Sequence, residues 1–302
     1  MSADNKQIQW FPGHMAKTRR LIRENLKLCD AAIEIVDARV TRSGRNPEIE
    51  KLLAGTPRIL LLNKCDLADA EATARRVLSL RRAGTPTLAV DCRSGRGLSA
   101  LDALVRSVCA QTIARNDAKG MTGRALRLMV VGIPNCGKSS FINRMAGRVK
   151  AEAADRPGVT RRTNWFRTES GLELLDTPGV LWPKFDDPTV GLRLAFIGSI
   201  KDEILDLEEL ACAFLRVLRM QYPDRLAERY KVDAAQITAA SDALCPPGVT
   251  TENNPAADFA LLEAIAQARG FLQRGGAVDT LRAAKTLLDE YRGGLLGRIS
   301  LD

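Results

Sequence analysis

The stretch "RLMVVGIPNCGKSSFINRM", residues 127–145, constrains the fold more than any other part of the chain. A short apolar run leads into Gly132, and Gly132, Gly137, Lys138 and Ser139 satisfy G-x-x-x-x-G-K-[ST]. A strand that turns through glycines into a helix exposes a nest of backbone N–H groups, which suits phosphate. In this reading Cys136, Gly137, Lys138, Ser139 and Ser140 line a phosphate loop. The Lys138 ammonium reaches the outer phosphates, and the Ser139 hydroxyl holds Mg²⁺. A strand must precede such a loop, so the chain needs a sheet with helices packed on it.

The flanking sequence supplies that sheet. "AAIEIVDAR", "RILLLNKCD", "PTLAVDC", "RLMVVGIP" and "LELLDTPG" each read as a buried strand ending in a polar loop, with helical stretches between them. Such alternation predicts a mostly parallel sheet, with the ligand beyond the carboxyl ends of its strands. From about residue 184 the pattern changes. Leu207, Leu210, Ala211, Phe214, Leu215 and Leu218 fall at helical spacing. Asp206 with Glu209 resembles a capping box, Asn254 and Pro255 open a second helix that Gly270 closes, and "VDTLRAAKTLLDEYRGG" predicts a third. No strand candidate follows residue 184. The expectation is an α/β domain over 1–183 and an all-α domain over 184–302.

The strand ends carry the chemistry. In "DTPG" at 176–179, Asp176 would hold Mg²⁺ through water and the Gly179 N–H would touch a γ-phosphate. Thr160, in the intervening "RPGVTRRTNWF", is the candidate for completing the Mg²⁺ shell. "NKCD" at 63–66 suits guanine: Asp66 accepts from its N1–H and N2 amino group, Asn63 meets the base from another side, and the Lys64 stem covers the ring. A carboxylate built for two donors rejects adenine. Asp91, Cys92 and Arg93, one strand later, stand where a second guanine loop would fall, although the letters match poorly.

The order is unusual. NKCD and the Asp91 loop precede the phosphate loop, Thr160 and DTPG, whereas a conventional GTPase carries the guanine motifs last. Five sites in the same cyclic order indicate a circularly permuted P-loop GTPase domain. A parallel sheet tolerates the change because strand neighbours make the site, and chain ends that lie close together can be joined.

Composition narrows the partners. The formal net charge is +9 and the sequence pI about 9.4, which favours a polyanion such as nucleic acid. The 7 cysteines are dispersed, without CxxC or metal-ligand spacing, as in a reduced cytosolic protein lacking structural zinc. No apolar run reaches the length of a membrane span.

With these residues in view, the chain resembles the circularly permuted ribosome-assembly GTPases over essentially its whole length. "IQWFPGHMAKTRR" at the start, "DAR" at 37–39 with "NP" at 46–47, the permuted order, "DTPGVLWP" and the helical end carry the resemblance. It implies GTP hydrolysis in late maturation of the large bacterial ribosomal subunit, with rRNA or the subunit precursor as partner. It also implies a cytoplasmic protein, off the membrane and monomeric away from the ribosome. Signalling GTPases place a water-orienting glutamine after the glycine of DTPG, where this chain has Val180. The family is thought to use an N-terminal histidine in hydrolysis, here His14, the single histidine. It also associates the residue at Asn135 with a bound K⁺. Lys138, Asn135, Gly179 and His14 are therefore the catalytic candidates. Basic residues of the last helical region (Arg269, Arg274, Arg282, Lys285, Arg292, Arg298) are candidates for gripping rRNA. The other reading is a nucleotide-gated RNA-binding module acting on another ribonucleoprotein or the small subunit, with hydrolysis incidental.

Overall fold

The structure is a computed structural model describing residues 15–147, 164–182, 184–243 and 254–302. Two compact units emerge, Met1–Leu194 with Asp302 and Ala195–Leu301. The division falls later in the chain than the change of sequence pattern near residue 184.

The first unit opens with α1 (Met15–Leu26) and β1 (Ala31–Asp37), a strand buried at every position. A 3-10 turn over Ala38–Val40 leads to α2 (Pro47–Leu52), which Asn46 caps by accepting from the Glu48 N–H. Then come β2 (Arg58–Asn63), α3 (Ala70–Arg82), whose N-cap is Asp69, and β3 (Thr87–Ala89). Two short helices, α4 (Leu101–Val108) and α5 (Ala110–Ala118), return the chain to β4 (Arg127–Val131) and α6 (Lys138–Met145). Last come β5 (Asn164–Arg167), β6 (Glu173–Asp176) and α7 (Pro188–Phe196), whose final two residues already belong to the second unit.

The strands form one six-stranded sheet in the order β3-β2-β1-β4-β6-β5. All neighbours are parallel except β5, which runs antiparallel to β6. The five expected strands are present, and β5, "NWFR", is an edge strand that sequence reading missed. β1 is buried throughout and β4 at every residue after Arg127, and both are mostly apolar, as in a parallel sheet covered on both faces.

Strand order explains the rearranged motifs. β4 lies inside the sheet with β1 and β6 as neighbours, and β3 is at an edge. The connection β3–α4–α5–β4 joins the strand before the last guanine loop to the strand before the phosphate loop. Register then puts the strand ends level: Asp37 pairs with Asn63, and Val130 pairs with Asp176. Loops far apart in sequence thereby emerge at one edge.

The second unit is helical: α8 (Leu207–Gln221), α9 (Pro223–Tyr230), α10 (Ala234–Asp242), α11 (Pro255–Ala268) and α12 (Thr280–Gly293). Asp206 caps α8 by accepting from the Glu208 and Glu209 N–H groups, and Asn254 caps α11. Phe214 is fully buried, its ring 5.0 Å from that of Phe196 and 4.6 Å from that of Tyr291. Asp258, also fully buried, accepts from Arg216 at 2.7 Å and Arg219 at 2.9 Å. Among the described residues, no helix is long and apolar enough to cross a membrane.

Candidate functional site

The loop between β4 and α6 wraps on itself. Lys138 is buried, and its Nζ donates to the carbonyls of Ile133 at 2.8 Å and Gly132 at 3.2 Å. The ammonium thus sits inside the ring of loop peptides, at the start of α6. Ser139 and Ser140 follow in the first turn, where helix N–H groups have no intrahelical partner. Gly137 is required here. Its φ is +101°, and a Cβ would fall 2.1 Å from Asn63 Nδ2.

That contact marks the junction with the guanine motif. Asn63 Nδ2 donates to the Cys136 carbonyl at 2.8 Å, and Asn63 Oδ1 accepts from the Cys92 N–H at 3.0 Å. Lys64 Nζ donates to the Asn135 carbonyl at 2.7 Å. Lys64 and Asn135 both adopt left-handed backbone, at φ 57° and 59°. Asn63 and Lys64 therefore grip the phosphate loop, while half-buried Asp66 follows in the same turn.

In the next loop, the Asp91 carboxylate accepts from the Arg93 N–H at 2.8 Å and the Ser94 N–H at 3.3 Å. Burial pushes this carboxyl up, but hydrogen bonds from Ser94 and the backbone outweigh it and hold the value below the ordinary range. Asp91 thus shapes its own turn, and a base at this loop would meet backbone rather than that carboxylate. Arg144 of α6 donates to the carbonyls of Cys92, at 3.5 Å, and Arg93, tying the loop to the phosphate-loop helix.

DTPG completes the described site. Thr177 Oγ1 donates to the Val130 carbonyl at 2.6 Å, anchoring the turn to β4. Gly179 lies so close to the phosphate loop that a Cβ would fall 2.7 Å from Pro134 N and 3.0 Å from Lys138 Nζ. Val180 is 1% exposed. Its N–H donates to the Gly132 carbonyl at 3.2 Å, and its carbonyl accepts from Asn46 Nδ2 at 2.9 Å. The resemblance named the Asn-Pro pair at 46–47, but sequence gave Asn46 no physical role. Its contact with Val180 spans 134 residues and leaves no local signal.

Asp176 ends β6, 2% exposed, and its buried Oδ1 has no hydrogen-bond partner among the described residues. An orphaned carboxylate oxygen near the Lys138 ammonium fits a hydrated cation. Ser139 and Asp176 would hold Mg²⁺, which when bound neutralises phosphate charge. Thr160 and His14 lie outside the described residues.

Burial pushes the Asp176 carboxyl up to about 6, against the opposing Lys138 ammonium and Thr177 N–H. Relative to the unfolded chain, the metal-free fold therefore favours the neutral acid. Its stabilising contribution is complete below about pH 4 and is lost as pH rises through 6. Asp176→Asn should raise the unfolding temperature of metal-free, nucleotide-free protein at pH 8 by a few degrees, on the order of 2 kcal/mol. The gain should shrink as pH falls from 6 toward 4. Calorimetry in a chelating buffer checks this, and a pH-independent difference contradicts it.

Known proteins match this arrangement. The family model described as "50S ribosome-binding GTPase" matches residues 127–237. Its match takes in the phosphate loop and DTPG but not NKCD, as the permuted order dictates. Ribosome biogenesis GTPase A of Bacillus cereus is 40% identical over 98% of this chain and 93% of its own length. Its counterpart in Bacillus licheniformis is 42% identical over 98% of both. The solved structure of GNP-bound YlqF from T. maritima is 24% identical and superposes with a TM-score of 0.59, covering 95% of this chain and 97% of that one, which shows a shared fold. The chain belongs to the ribosome biogenesis GTPase A family, a GTPase by its motifs and by its relatives alike.

Proposed function

We propose that this GTPase acts in late assembly of the large ribosomal subunit, binding rRNA of the precursor in its GTP state and leaving after hydrolysis. The observation that carries the reading is the convergence of NKCD, the phosphate loop and DTPG at one sheet edge, joined by Asn63 and Lys64. The partner follows from the relatives' names and the basic composition. The protein works in the cytoplasm as a monomer when off the subunit.

In this account Asp66 reads guanine, and the loop N–H groups from Cys136 to Ser140 cradle the phosphates with Lys138. The Gly179 N–H senses the γ-phosphate, and Thr160 joins Ser139 and Asp176 around Mg²⁺. Asp66→Asn should shift preference from GTP toward XTP, whose base carries a carbonyl where guanine has its amino group. Competition binding measures this, and undiminished preference for GTP removes Asp66 from base recognition.

Val180 is apolar and packed in the core, so it cannot orient the attacking water. We assign that task to His14, assisted by K⁺ at Asn135. His14→Ala should lower kcat by about tenfold to a thousandfold, with GTP affinity nearly intact. Turnover should be faster in K⁺ than in Na⁺. An unchanged kcat excludes His14, and equal rates in the two salts exclude the cation.

Ion pairing narrows the helical unit's rRNA-contacting cations. Arg269 pairs with Glu290 at 2.8 Å, Arg292 pairs with Asp202 at 2.7 Å, and Arg282 stacks on Phe271 at 4.5 Å. Arg274, Lys285 and Arg298 are exposed. If these three meet phosphates, log Kd for the large subunit should rise with log salt at a slope of about 2 or more. Binding should be tighter with a GTP analogue than with GDP, and by linkage the subunit then favours the GTP state. Co-sedimentation with large and small subunits checks both. Salt-insensitive binding, or equal affinity in both nucleotide states, leaves the unit a protein-binding module.

A further inference from the structure

Beside the NKCD turn lies an ion pair that neither the phosphate motif nor the base motif explains. Asp37, the last residue of β1, is fully buried, and Arg39 is 1% exposed. The guanidinium grips the carboxylate with both arms, Nε to Oδ1 at 3.0 Å and Nη2 to Oδ2 at 2.8 Å. Asp37 Oδ1 also accepts from the Arg39 N–H at 3.0 Å, which caps the 3-10 turn. Burial pushes this carboxyl up, but the Arg39 and Lys64 cations together hold it well below the usual carboxylate range. It is an anion at any working pH.

One arginine would neutralise one carboxylate, yet a second cation is present: Lys64 Nζ lies 3.2 Å from Asp37 Oδ2. Strand register puts it there. Asp37 pairs with Asn63 across β1 and β2, and Lys64 follows with left-handed backbone, φ 57°. The same ammonium donates to the Asn135 carbonyl at 2.7 Å. It therefore sits between a fixed anion and the backbone of the phosphate loop. A lysine stem has large rotamer freedom, so an ordered position needs such anchors.

We propose that Asp37 is a positioning residue of the nucleotide site, fixing the Lys64 ammonium and through it both the stem that covers the base and the Asn135 peptide of the phosphate loop. Arg39 locks the carboxylate in place and balances its charge. The inference rests on the reading of NKCD as the guanine site.

The test is a double-mutant cycle in the full-length protein, read by affinity for GDP and for a non-hydrolysable GTP analogue. Asp37→Asn alone takes the counter-charge from a buried guanidinium and is expected to damage the fold. The working variant is therefore Asp37→Asn with Arg39→Gln, which removes both charges, its fold checked by circular dichroism. It should weaken GDP binding about tenfold. In a Lys64→Ala background the same pair should cost less than about twofold more, because it acts through that lysine. Wild-type affinity in the paired variant, or an additive loss beside Lys64→Ala, overturns the role of Asp37. If Lys64→Ala itself binds GDP like the wild type, the guanine reading of NKCD fails instead.

Discussion

Two side chains of the NKCD turn hold the phosphate loop by its backbone, and the rest of the site depends on that grip. Asn63 takes the Cys136 carbonyl and Lys64 takes the Asn135 carbonyl, across sequence separations of 73 and 71 residues. Both carbonyls belong to a loop whose N–H groups must point inward at phosphate. Fixing the oxygens on the outside fixes the peptide planes, and so aims the donors. The NKCD turn and the phosphate loop are thereby one structure, so in the proposed reading a base seated against Asn63 and Lys64 is felt by the phosphate-loop peptides.

The same grip explains why the chain tolerates its rearranged order. The contacts that make the site are side chain to backbone, between strand ends brought level by register, and none requires covalent continuity between particular loops. Moving the chain ends changes which loop closures cost entropy, and that cost varies only slowly with loop length. It leaves the edge where β1, β2, β4 and β6 deliver their loops in the same spatial order.

The parts of this legible in sequence were those with local signatures. Buried parallel strands announce themselves as apolar runs, and the phosphate loop, NKCD and DTPG are each short enough to read directly. So were the caps of α8 and α11, because Asp206 and Asn254 bond N–H groups two and three residues ahead. Three features were not legible. β5 has four residues with one buried, too short to show a period, and it exists because β6 has a free edge to pair with. The "DAR" letters were visible as a resemblance, but the wholly buried Asp37–Arg39 pair sets two charged residues inside the fold, against every hydropathy expectation. Arg269 and Arg292 looked like free cations in sequence, yet their carboxylate partners lie 21 and 90 residues away.

Val180 shows how far the machinery of hydrolysis departs from the signalling pattern. Its N–H is tied to Gly132 and its carbonyl to Asn46, while the side chain is packed in the core. A glutamine at this position would have to leave that packing before its amide could reach a water. The segment after DTPG is thus built to hold Gly179 against the phosphate loop rather than to supply a catalytic side chain. The nucleotide motifs gather at the sheet edge, and with Val180 buried the proposed water-orienting group comes from elsewhere, which is the role assigned to His14.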